Sequence, residues 1–149
     1  MIQDLFKLTG RAALVTGGSK GIGKAIARGF AEAGADVLIS SRHEDDLQKT
    51  AKEIGDGLDC RVEYFVCDMT DRAQVDEMAR WAQKTLGKVD ILVNNAGGNV
   101  PQESIETTDE SWDQTLELNL TSCMRLARAV APGMKQRGWG QIIHPAFPR

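Results

Sequence analysis

An apolar run, RAALV, ends at Val15 in the segment Thr16-Gly17-Gly18-Ser19-Lys20-Gly21-Ile22-Gly23, and an alanine-rich helical pattern, KAIARGFAEAG, follows at once. A strand therefore turns straight into a helix. Glycines at such a junction allow positive φ and let the backbone approach a ligand closely, while the free N–H groups and positive dipole end of the new helix attract an anion. A pyrophosphate is the natural occupant. The spacing is Gly-x-x-x-Gly-x-Gly rather than G-x-G-x-x-G, so the dinucleotide fingerprint is met in mechanism but not letter for letter. Taken alone, the same glycines also describe a plain strand-to-helix turn.

The rest of the chain repeats the alternation. Residues 12–15 read as the first strand, and Ile22, Ile26 and Phe30 fall at helical spacing on the helix after it, which stops at Gly34. DVLISS is a second strand. Residues 43–54 form a helix with Leu47, Ala51 and Ile54 on one face, closed by Gly55-Asp56-Gly57, and CRVEYFVC is a third strand. Asp71 caps a long helix with the stripe Val75, Met78, Ala79, Ala82 and Leu86, and VDILVNNAG supplies the fourth strand. From Asp109 a second long helix is expected past Trp112, Leu116, Leu120, Met124 and Ala127, bent near Pro132 and Gly133, before a fifth strand, QIIH. Repeated βαβ units predict an α/β, doubly wound, Rossmann-type parallel sheet in order 3-2-1-4-5, built as one domain over residues 1–149. Its ligand crevice belongs between strands 1 and 4.

Composition narrows the function. A net charge of −3 with no basic cluster gives no electrostatic footprint for nucleic acid, and the apolar runs are too short to span a bilayer. MIQDLFKLTG lacks the zones of a signal peptide, so a cytoplasmic setting is expected. Cys60, Cys67 and Cys123 are odd in number without paired CxxC spacing, which argues for buried free thiols and no metal site.

Several residues sit at expected strand ends. Ser41 and Arg42 follow the second strand, where a carboxylate would bind a ribose 2′-hydroxyl and an arginine suits a 2′-phosphate. With Lys20 in the glycine turn, two cations stand near that position, and the charge logic favours NADP(H) over NAD(H). Asp68 ends the third strand and either accepts from an adenine amino group or serves the turn with Thr70 and Asp71. Asn94-Asn95-Ala96-Gly97 ends the fourth strand at the crevice, as a turn or as part of a site.

TGGSKGIG, CDMTD, NNAG and the Asn119 of LELNLTS, in that order and spacing, resemble the short-chain dehydrogenase/reductase family, with a flavour of its 3-oxoacyl-carrier-protein reductase-like and gluconate dehydrogenase-like members. The likeness covers residues 8 to about 143. It implies that Gly17, Ser19, Lys20, Gly21, Ile22 and Gly23 wrap the cofactor phosphates, with Arg42 at the 2′-phosphate. It also implies Asp68 and Met69 near adenine, Asn95, Ala96 and Gly97 near the ribose, and Asn119 organising the proton-relay water of the active site.

Members of that family follow the fifth strand with a serine and then a Tyr-x-x-x-Lys pair, the tyrosine being the general acid. Here the sequence after Ile143 reads His144-Pro145-Ala146-Phe147-Pro148-Arg149, and its only tyrosine is Tyr64. The expected function is therefore NADP(H)-dependent ketone reduction or alcohol oxidation on a small molecule in a complete parent, from which this chain lacks the last strands and is inactive alone. The alternative is a nucleotide-binding or interaction fragment without turnover. Codons for Ser-Ser-Ile-Ser-Ser read from their second base encode Pro-Ala-Phe-Pro-Arg, so a frame-shifted terminus is expected, with a cloning scar or a cut end leaving the same mark. An unpaired strand at residues 141–144 and the last long helix, through which the family builds tetramers, predict a homo-oligomer.

Overall fold

The structure, a computed structural model, describes residues 5–98, 101 and 103–145; the Ala146 to Arg149 part of the terminus read as frame-shifted lies outside them. Five parallel strands, β1 (Ala12–Thr16), β2 (Asp36–Ser41), β3 (Val62–Val66), β4 (Ile91–Val93) and β5 (Gln141–Ile143), form one sheet in the order β3-β2-β1-β4-β5. The expected architecture is present. Between them run α1 (Gly21–Glu32), α2 (Glu44–Gly55), α3 (Arg72–Leu86), α4 (Asp109–Leu116) and α5 (Ser122–Arg137).

Both faces of the sheet are covered, which is why β1 and β2 are apolar at consecutive positions instead of alternating. Leu14, Leu38 and Leu92 face Val75, Met78 and Ala82 of α3 and Leu126, Val130 and Met134 of α5. Ala13, Val15, Val37, Ile39 and Val93 face α1 and α2 on the other side. Asp71 caps α3 by accepting from the N–H groups of Ala73 and Gln74, as its position predicts.

On α1 the stripe differs from expectation. The buried positions are Gly23, Ala27 and Ala31, while Ile26 and Phe30 are only partly covered and Ile22 is 51% exposed. Small residues at i, i+4 and i+8 let this helix lie close against the sheet, and the larger side chains one position back are carried outward.

The helix expected to run unbroken from Asp109 is interrupted elsewhere than at Pro132. Between α4 and α5 the backbone widens into a π turn over Glu117–Thr121, whereas α5 continues through Pro132 to a left-handed Gly138. Its inward face carries Ser122, Cys123, Leu126, Val130 and Met134. Trp112 before the π turn is 58% exposed, Leu120 within it 62%, and Met124 after it also faces outward.

Candidate functional site

The carboxyl ends of β1 and β4 are zipped by two side chains. Thr16 Oγ1 donates to Val93 O (3.3 Å) and accepts from the Ala96 N–H (3.0 Å), and Asn95 Nδ2 donates to Thr16 O (3.1 Å) and Gly17 O (3.2 Å). The glycine turn is thereby fastened to the NNAG segment. Gly17 and Gly21 have φ of 65° and 53°, the left-handed region that disfavours side chains. A Cβ on Gly23 would stand 2.2 Å from Gly17 O and 2.5 Å from Asn95 Nδ2, so no side chain fits where the helix opens.

Beside this junction lies a cleft of about 250 Å³. Gly17, Ser19, Arg42, Asp68, Met69, Ala96 and Gly97 of the expected site line it, together with Ser41, His43, Cys67, Thr70 and Leu118. Lys20, Gly21, Ile22, Gly23, Asn95 and Asn119 are not in its wall. Gly23 and Asn95 act behind it, shaping the turn. The cleft shares Arg42 and His43 with a second concavity walled by Glu44, Asp45 and Asp46.

Asp68 uses Oδ1 for the turn, accepting from the Thr70 N–H (2.9 Å) and hydroxyl (2.8 Å). The backbone bond from Thr70, with help from its hydroxyl and the charge of Arg42, holds this carboxyl below the usual carboxylate range against the opposing effect of burial. Burial pushes the neighbouring Cys67 thiol up to about 12, so it stays protonated.

Asn119 stands in the π turn and reaches back to the NNAG segment. Its Oδ1 accepts from the Gly98 N–H (3.0 Å), and its Nδ2 donates to Gly98 O (2.7 Å) and to Thr115 O (2.8 Å). A Cβ on Gly97 would come within 2.7 Å of that Oδ1. The side chain is thus a clamp on the segment bordering the cleft. An ordinary helical asparagine would bond only within its own turn, as Asn119 does to Thr115, without the reach to Gly98.

A family model described as short chain dehydrogenase matches residues 11–145. The chain belongs to the short-chain dehydrogenase family. The D-beta-hydroxybutyrate dehydrogenase of Cupriavidus necator is 40% identical over 140 residues, covering 93% of this chain and 54% of its own length. L-sorbose reductase from Gluconobacter frateurii, solved with NADPH and L-sorbose, superposes with a TM-score of 0.89 at 38% identity, over 93% of this chain and 53% of that one. A 7α-hydroxysteroid dehydrogenase complexed with NADH and 7-oxo glycochenodeoxycholic acid gives the same TM-score and identity over 95% and 55%. This short-chain dehydrogenase sequence spans about half the length of the relatives it matches.

Sequence reasoning missed three contributors in this short-chain dehydrogenase. Thr16 belongs by sequence to the turn, yet its side chain joins β1 to the end of β4. Thr50, buried on α2, donates from Oγ1 to Ser19 O (2.8 Å) and holds the glycine turn from behind. Asp46 pairs with Lys20 at 2.6 Å. Asp46, Thr50 and Glu53, which meets Lys24, are spaced i, i+4 and i+7, a signal that was available as one polar face of α2. Among the described residues, no helix is long and apolar enough to cross a membrane.

Proposed function

We propose that this chain is, over its whole length, the dinucleotide-binding domain of an oxidoreductase that moves a hydride between NADP(H) and a small carbonyl or alcohol substrate. The nicotinamide ring supplies the hydride chemistry when bound. The observation that carries the reading is the side-chain-free cradle at Gly17 and Gly23, set against the cleft that Arg42 borders. Gly17, Ser19, Lys20, Gly21, Ile22 and Gly23 would surround the phosphates, drawn by the amino end of α1. Asp68 and Met69 would meet adenine, and Asn95, Ala96 and Gly97 the ribose, with Asn119 fixing that segment.

NADP(H) is preferred in this reading because Arg42 lines the cleft where Ser41 takes the place of a carboxylate. The NADPH complex of L-sorbose reductase supports it, and the NADH complex of the steroid dehydrogenase makes it a property to be measured. Calorimetry on the chain is expected to give tighter binding of NADPH than of NADH. Arg42→Ala should weaken NADPH by roughly tenfold to a hundredfold, the worth of a charge-assisted hydrogen bond, and leave NADH nearly unchanged. Equal affinity of the unmodified chain for both cofactors refutes the preference.

One observation favours a second reading for this polypeptide, binding without turnover. Its only tyrosine, Tyr64, lies on β3 beside Gln48 and Glu44, bonded at 3.0 and 3.4 Å, so it is not available as a general acid at the cleft. General acid catalysis contributes about 10²–10⁴ in rate, and incubation of the chain with NADPH and a panel of ketones should show no loss of reduced cofactor. The outward Trp112, Leu120 and Met124 and the edge strand β5 are the surfaces through which self-association is expected, read by light scattering. Free Cys60, Cys67 and Cys123 suit a reducing, cytoplasmic setting.

A further inference from the structure

Helix α2 touches the glycine turn with one face. Thr50 donates to Ser19 O at 2.8 Å, Asp46 pairs with Lys20 at 2.6 Å, and Glu53 pairs with Lys24. Of these, the Asp46–Lys20 contact bears on the ligand. Lys20 is one of the two cations near the expected 2′ position, and its side chain is 70% exposed, while that of Asp46 on α2 is 35% exposed. The ammonium therefore already has an anion. Asp46 also stands in the wall of the concavity that continues from the cleft past Arg42 and His43, with Glu44 and Asp45 beside it.

A phosphate entering that concavity faces opposing effects. Arg42 and Lys20 attract it, yet Lys20 must leave or share Asp46, and the carboxylates repel the incoming charge. The Lys20 hydrogen bond, and to a lesser degree the charges of Lys20, His43 and Lys49, hold the Asp46 carboxyl below its ordinary range, so the competing anion is present at neutral pH. An unphosphorylated ribose brings no charge to the contest.

We infer that Asp46 sets how far this chain discriminates between phosphorylated and unphosphorylated dinucleotides, by holding Lys20 away from the 2′-phosphate. The inference rests on the NADP(H)-binding reading above and adds a specificity-determining residue to it. It makes Asp46 a brake: the chain prefers NADPH less strongly than Arg42 and Lys20 alone would dictate.

A double-mutant cycle on the full chain tests it, with NADPH and NADH titrated by calorimetry against the unmodified protein, Asp46→Asn, Lys20→Ala and the double variant. Asp46→Asn should tighten NADPH by about three- to fivefold, the scale of releasing one exposed ion pair, and leave NADH unchanged. In the Lys20→Ala background the same change should have no more effect than Asp45→Asn, which removes the neighbouring charge in the wall of the concavity. Far-UV circular dichroism confirms that each variant is folded.

Unchanged or weaker NADPH binding by Asp46→Asn overturns the inference, the latter by making Asp46 a guide for Lys20. So does an equal gain in the Lys20→Ala background, because the effect is then bulk charge. If NADPH binding still depends on Arg42 in those cases, the cofactor reading stands without the brake. If the unmodified chain binds neither dinucleotide, both fall.

Discussion

Helix α1 contains two glycines for which the same substitution should have opposite consequences. Gly23 and Gly29 both lie within Gly21–Glu32 and neither has a positive φ, so replacing either by alanine gains about 1 kcal/mol of helix propensity. At Gly29 nothing stands within 4 Å of the new Cβ, and the gain is realised. At Gly23 the Cβ would sit 2.2 Å from the Gly17 carbonyl oxygen, more than 1 Å inside ordinary contact, and 2.5 Å from Asn95 Nδ2. The carbonyl belongs to backbone, so the turn itself must move. Overpacking of this kind costs roughly 1–3 kcal/mol, and each Asn95 bond to Thr16 and Gly17 that is lost adds about 1 kcal/mol. After subtracting the propensity gain, Gly23→Ala is expected to destabilise by about 2–3 kcal/mol. For a chain of this size 1 kcal/mol corresponds to roughly 2–4 °C in Tm. Thermal melts followed by far-UV circular dichroism should therefore drop by about 5–10 °C for Gly23→Ala and rise by about 2–4 °C for Gly29→Ala. NADPH binding should vanish in the first and survive in the second. A Gly23→Ala protein that melts with the unmodified chain, or two variants that shift in the same direction, refutes the argument that contact with Gly17 and Asn95 requires glycine there.

Asn119→Ala removes the two-way clamp on Gly98 and is expected to cost about 1 kcal/mol of stability, because the clamp is exposed, while lowering dinucleotide affinity several-fold; calorimetry with an urea titration separates the two. The carboxyls of Asp68, Asp76 and Glu117 are held low by Thr70, Arg125 and Arg72 respectively. Carboxyls depressed in the folded state contribute stability that is present above their unfolded pKa of about 4 and lost as pH falls through the folded values, so the urea midpoint should hold from neutral pH to about 5 and decline below 4. An acid-insensitive midpoint contradicts this. Cys67, 1% exposed with its thiol pushed up to about 12, should resist a thiol-reactive dye at about pH 8 until the chain is unfolded, whereas the half-buried Cys60 labels first.

Element order and strand sequence were legible because local signals carry them. Apolar runs, the caps at Asp71 and the glycines at helix ends act within a few residues, and βαβ handedness then leaves few topologies. The sheet order and the position of the glycine turn at its β1/β4 crevice follow from the sequence alone. Seven of the expected site residues reach the cleft for the same reason, since they sit at strand ends that the fold gathers together.

What the tertiary structure decided is which face of each helix meets what. Periodicity marks Ile22, Ile26 and Phe30 as an apolar stripe, but only the close approach of α1 to the sheet selects the smaller Gly23, Ala27 and Ala31 for burial. The π turn at Glu117–Thr121 adds one residue to a helix without any local breaker, at the place where Asn119 bonds to Gly98 across the crevice and to Thr115. The stripe Asp46, Thr50 and Glu53 reads in sequence as a solvated helical face, and becomes a hold on the glycine turn only when α1 and α2 pack side by side. Local propensity acts over a turn or two of backbone, whereas these choices depend on contacts between residues far apart in the sequence, such as Ser19 and Thr50, 31 positions apart, which exist only once the chain has folded.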